Sequence, residues 1–167
     1  MDLSPFEPWL KLLHLAGAFV FAAGHGVSVA VAFRLRVERE RSRMLALLDL
    51  SASSLSLAFI GLLALLIGGI LAGIARGDFS RGWVWASIVL LVVISALMTP
   101  IVGQHFTELR QALGQRTRTM KAGEPDPVAL PIEEVIALTR SRRPEAMALI
   151  GGIGFLVILS LMTLKPF

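Results

Sequence analysis

The 167-residue sequence has no cysteine and no tyrosine. Without thiolates there is no cysteine-ligated iron–sulfur cluster, no catalytic thiol and no dithiol relay to a quinone. Without a phenol there is no tyrosyl radical. Charge is scarce as well: 17% of residues are charged and 55% hydrophobic, with a mean hydropathy of +0.74. Soluble domains carry about 25% charged residues, and one of this length could not bury so much apolar surface. Disordered, collagen-like and disulfide-rich classes are excluded by the same composition. An integral membrane protein is the class that remains, and its four candidate spans make the expected fold all-α, a four-helix bundle forming a single transmembrane domain.

A membrane-spanning helix needs about 20 mostly apolar residues. Four stretches qualify, at about 9–33, 50–75, 82–104 and 146–164. The first contains Lys11, His14 and His25 yet is long and apolar enough to cross. Asp2 and Glu7 occupy the region where a secretory signal would be basic, so this stretch reads as an uncleaved span. Four spans put both termini on one side. The loops at 34–49 and 105–145, with Gln104 at the edge of the second, hold twelve of the 16 Lys and Arg; Lys11, Arg76, Arg81 and Lys165 lie on the other side. The positive-inside rule therefore predicts cytoplasmic loops and external termini. Trp9, Trp83 and Trp85 are then expected at the outer interface. The net charge of +4 is explained by basic loops facing anionic lipid headgroups rather than by nucleic acid.

The loops hold more than connections. Met44 to Leu48 should extend the second span as a helix beyond the membrane. Past Pro100, the third should continue with Val102, Phe106, Leu109 and Leu113 at helical spacing, against headgroups or a neighbouring helix. Pro125, Pro127 and Pro131 mark a loop. Pro131 should open a short helix with Glu133 and Glu134 at its N-terminal dipole, and Pro144 should end it.

In lipid, helices associate through small residues and polar contacts. On the first span His14, Ala18, Phe21, His25, Ser28 and Ala32 fall in one direction, with Gly17 and Gly24 at its shoulder. Gly61, Gly68, Gly69 and Gly73 follow on the second span, and Gly151, Gly152 and Gly154 on the fourth. Close packing explains these glycines, and Gly69 and Gly73 are expected to touch another helix. The alternative is that they leave room for a flat cofactor. No span contains a carboxylate, which argues against proton relays and cation pumps. The serines at 51, 53, 54 and 56 have no His/Asp set and should bond backbone or neighbouring helices.

The three histidines carry the functional argument, since an ionisable side chain inside a span marks a functional site by default. His14 reads either as a polar link between helices or as a metal or haem ligand. Neutral imidazole binds haem iron, and an apolar interhelical cleft suits a porphyrin. Lys11, one turn away, either snorkels to the interface or meets a propionate. His25 is deeper, at nearly the depth of Met98, so His/Met ligation is open, though a buried Met is usually packing. His105 is expected at the interface, with His25 as its partner if it is a ligand. The second and fourth spans have no His, so a cytochrome with paired histidines on two helices is not evident.

The stretch Trp9-Leu-Lys-Leu-Leu-His14, the apolar helix with Gly24, Arg34, Arg36 and the Leu-rich Met44 to Leu50 resemble a group of small bacterial membrane proteins. The group includes the copper-resistance D-type family, the haem-binding membrane protoporphyrinogen oxidases and uncharacterised four-helix integral membrane proteins. In the oxidase family a His in this first-helix setting serves the haem, which the resemblance implies for His14 alone; the oxidase activity does not carry over. A copper role would call for Met or His at the outer face, where only His14 and Met162 qualify. The expectation is thus a multi-pass protein of the bacterial inner membrane, alone, as a homo-oligomer or within a membrane complex. It would bind haem b through span one, in membrane redox chemistry or haem handling. The candidate cofactor residues are His14, His25, His105 and Lys11, and the candidate metal ligands His14 and Met98. The alternatives are a cofactor-free accessory subunit or small-solute permease, and copper handling.

Overall fold

A computed structural model describes residues 3–167. After a short 3-10 turn, Ser4–Phe6, come α1 (Glu7–Leu35), α2 (Arg41–Arg76), a second 3-10 turn at Asp78–Ser80, α3 (Gly82–Ala112), α4 (Ile132–Thr139) and α5 (Arg143–Leu164). No strand occurs among the described residues. Four stretches, Ser4–Leu35, Arg41–Arg76, Gly82–Ala112 and Ile132–Leu164, are long and apolar enough to cross a membrane.

The long helices outrun the apolar stretches, as the patterns at 44–48 and 102–113 predict. α2 has 36 residues and α3 has 31. Pro100 lies inside α3 without ending it. Phe106, Leu109 and Leu113 are buried against other helices rather than lying free at the headgroups. Pro131 does precede α4, whose first turn carries Glu133 and Glu134. Pro144 differs from expectation. α4 has already stopped at Arg140, and Pro144 occupies the first turn of α5. The missing N–H of proline costs nothing there, because first-turn donors have no helical partner.

The bundle is two antiparallel pairs, α1 with α2 and α3 with α5. On α1 the seam runs His14, Gly17, Phe21, Gly24, Ser28, Val31, Leu35, alternating steps of three and four. That 3.5-residue repeat keeps one stripe against a partner over a long helix. Glycines make the approach backbone to backbone. A methyl group on Gly24 would stand 2.5 Å from the Ser54 carbonyl oxygen, and one on Gly61 2.5 Å from the Phe21 nitrogen. Further along, Ser28 shares hydroxyl hydrogen bonds with Ser51 (3.0 Å) and Ser54 (3.1 Å). The hydroxyls thereby satisfy each other in a place where water cannot.

A cluster of buried apolar side chains lies at the loop end. Val31 and Leu35 of α1, Met44 and Leu48 of α2, Leu109 of α3 and Val135 of α4 meet there, with Met147 of α5 fully buried among them. α4 therefore acts as a plug over the loop end. Toward the other end the long helices turn many large apolar side chains outward, among them Phe19, Ile60, Val92 and Leu156. A lipid solvent accepts such a surface without cost.

Candidate functional site

His14 and His25 contact different helices. His25 is one position past the seam residue Gly24, a rotation of about 50° from His14 at about 3.5 residues per turn. His14 is on the seam toward α2 and His25 beside it toward α5. The shared direction expected from 3.6-residue geometry is lost because the pair follows the 3.5-residue repeat.

Both imidazoles nevertheless lie on a glycine of the neighbouring helix. His14 Nδ1 donates to the Leu65 carbonyl at 2.8 Å, and its ring lies on Gly69, four residues further along α2. The His25 ring lies with its Nε2 edge on Gly151 of α5. In an α-helix the carbonyl of one residue lies beneath the side chain four residues on. Glycine at position 69 leaves the Leu65 carbonyl uncovered, and the His14 donor reaches it. Each histidine of α1 thus docks in a glycine notch, one on α2 and one on α5.

These notches bear on the flat-cofactor reading of the glycines. Gly69 is filled by His14 and Gly151 by His25. Gly154 is filled by Ile94, and Gly82 by the Phe167 ring. Gly73 meets Phe79 of the connecting turn, not another helix as expected. Gly17, Gly24, Gly61 and Gly68 are closed by the backbone of the facing helix. The protein's own atoms take the space that the glycines provide. Among the helical glycines Gly26, Gly103 and Gly152 are exceptions, with nothing within 4 Å of a would-be methyl group.

The nitrogens left over define what the histidines can do. A carbonyl only accepts, so in the neutral tautomer this bond selects, the His14 proton is on Nδ1 and the lone pair on Nε2. His14 as a whole is partly exposed. His25 Nε2 and His105 Nε2 are buried without a hydrogen-bond partner among the described residues. His105 is 2% exposed, beside Phe106 and close to Arg143, Glu108 and Arg36. It is buried where α3 meets the start of α5. Lys11 pairs with Glu7, which also faces Arg76 at 3.7 Å. Met98 packs against the loop-end core, whereas His14 lies in the other half of the seam. Among the described residues no group of three His, Asp or Glu could hold a metal ion.

The tryptophans divide. Trp9 and Trp85 are exposed, whereas Trp83 is buried, with Lys165 over its ring and its backbone N–H donating to the Phe167 carbonyl. The basic loops divide too. Arg36 is bonded to Glu145, Arg110 to Asp49 at 2.9 Å, and Arg143 to Glu108 at 2.5 Å. Arg116 organises the long loop through Asp126 and the carbonyls of Glu124 and Lys121. Sequence counting reads all of these as topology signals. Their ion pairs bind the helices to one another, and pairing across loops leaves no local sequence trace.

A four-helix, multi-pass chain with glycine seams matches one family model, described as predicted integral membrane protein (DUF2269), over residues 8–166. The chain belongs to that family. The family description names no copper or haem, so the likeness to copper-resistance and haem-binding proteins rests on the first-helix residues alone. No curated protein and no solved structure matches the chain.

Proposed function

We propose that this integral membrane protein binds a b-type haem through His14, in membrane redox chemistry or haem handling. The observation that carries the reading is the bond from His14 Nδ1 to the Leu65 carbonyl. Histidines that ligate a metal are commonly fixed by such a bond from the second ring nitrogen, which sets the tautomer and raises the basicity of the ligating one. His14 donates in that way, and the residue is partly exposed. Because the glycine notches are filled, a porphyrin would lie on the face of the α1–α2 pair, not within its seam. Lys11 would exchange Glu7 for a haem propionate. Haem would supply one-electron chemistry; the chain supplies the imidazole, its orientation and an apolar surround. On this reading the protein resides in a bacterial inner membrane with its basic loops in the cytoplasm.

A second reading, a cofactor-free accessory subunit or small-solute permease, is favoured by the filled notches themselves. They give both first-helix imidazoles a packing role that needs no ligand. Spectra of detergent-purified protein from haem-replete cells, oxidised and reduced, separate the two. The haem reading expects a Soret band that His14→Ala removes and His25→Ala retains. A parent protein without a Soret band sinks it.

A further inference from the structure

We propose that the groove between the end of α1 and the start of α2 binds the headgroup of an anionic phospholipid. The groove has a volume of about 330 Å³ and is lined by Arg34, Glu38, Arg43, Ala46, Leu47 and Leu50. Its two ends differ in chemistry. Arg34 and Arg43 form the polar end, with side chains 60% and 69% exposed. Ala46, Leu47 and Leu50 form the apolar end, and Leu50 continues into the outward apolar surface of α2 at Leu57 and Ile60. A phospholipid has the same division, with phosphate above and acyl chain below.

The position agrees with that occupant. Arg34 lies in the last turn of α1, where the apolar stretch gives way to the basic loop. Leu50 begins the uncharged run of α2. The groove therefore straddles the boundary between headgroup and hydrocarbon.

The charges agree as well. Arg36, Arg110 and Arg143 reach acids on other helices and spend their donors there. Arg34 and Arg43 have only near neighbours. Arg34 is 3.5 Å from Glu38, and Arg43 is 2.6 Å from Glu40. The Glu38 carboxylate also accepts the backbone N–H groups of Arg39 (3.0 Å) and Glu40 (3.2 Å). Its negative charge is held by the turn, which leaves the Arg34 guanidinium with donors to spare. Guanidinium matches a phosphate in geometry and charge.

The test uses the full chain in detergent, titrated with phosphatidylglycerol, with phosphatidylcholine and with inorganic phosphate, and read by native mass spectrometry and thermal shift. Phosphatidylglycerol should be retained and raise the melting temperature, and phosphatidylcholine should do so far less. Inorganic phosphate at matched concentration should fail to reproduce the effect, since it lacks the apolar half. Arg34→Gln and Arg43→Gln should each weaken retention about fivefold, and the pair more, by the usual worth of one basic residue near an anionic headgroup. Arg118→Gln, in the long loop, should change nothing. Equal retention of the two lipids, or undiminished retention by the Arg34/Arg43 double variant, would overturn the proposal. A double variant that does not fold is replaced by Leu47→Glu, which should expel the acyl chain; unchanged retention there also overturns it.

Discussion

Arg36 and Glu145 meet fork to fork, with Nη1 2.6 Å and Nη2 2.5 Å from the two carboxylate oxygens. The same guanidinium donates to the carbonyls of Ser141 (2.6 Å) and Thr139 (3.3 Å) and lies over the Phe33 ring. One side chain past the end of α1 thus ties together the end of α4 and the first turn of α5. The carboxylate beside Arg36 also raises the guanidinium pKa above its ordinary value.

Arg36→Ala should therefore lower the melting temperature in detergent by several degrees, more than Arg34→Ala. It removes an ion pair and leaves two carbonyls without donors. Arg36→Lys should restore only part, because an ammonium cannot serve the carboxylate fork and both carbonyls together. An unaltered melting curve for Arg36→Ala would show that the α4–α5 corner holds without it.

The two classes of glycine should separate in the same assay. Gly24→Ala and Gly61→Ala place a methyl group against the backbone of the facing helix and should cost about 1–3 kcal/mol. Gly26→Ala and Gly152→Ala meet nothing and should be neutral or stabilising by up to about 1 kcal/mol, from helix propensity alone.

The notch on α5 invites a double-mutant cycle. Gly151→Ala drives a methyl group into the His25 ring and should destabilise the bundle. On a His25→Ala background the same methyl group enters space the ring has vacated, so its cost should shrink. Additive effects would mean that His25 does not occupy the notch.

Glu38 gives the loop end a pH dependence. The N–H groups of Arg39 and Glu40, then Arg34 and Arg43, hold its carboxyl below the ordinary carboxylate range. A lowered folded pKa adds stability above the unfolded value and loses it as pH falls through the folded one. The parent should thus lose thermal stability on acidification below the usual carboxylate range, and Glu38→Gln should show a shallower loss. Parallel profiles would assign that loss to other carboxylates.

The fold was legible because its signals are local. Four apolar stretches, the pattern at 44–48 and the Pro131-Glu133-Glu134 start each lie within a few turns of chain. Partner choice was less legible. His14 and His25 share a face by helical arithmetic, and only the 3.5-residue seam, set by how closely Gly17 and Gly24 let α2 approach, turns them to different neighbours. Gly151 lies more than 100 residues from His25, and Glu145 equally far from Arg36. Nothing near either residue announces such a contact. His105 stands where the apolar stretch ends, and only the fold brings Arg36 and Arg143 close to it and buries it.

The placement of the glycine seam also bears on the order in which the chain is built. Every contact of the α1–α2 seam lies before Gly77, so this pair has all its own parts once the second helix has left the ribosome. The loop-end core has not. It still lacks Leu109, Val135 and Met147, and Arg36 has yet to meet Glu145. Two newly made helices can already lie backbone against backbone in the bilayer, while the site where all the helices will converge stands open until the last span arrives.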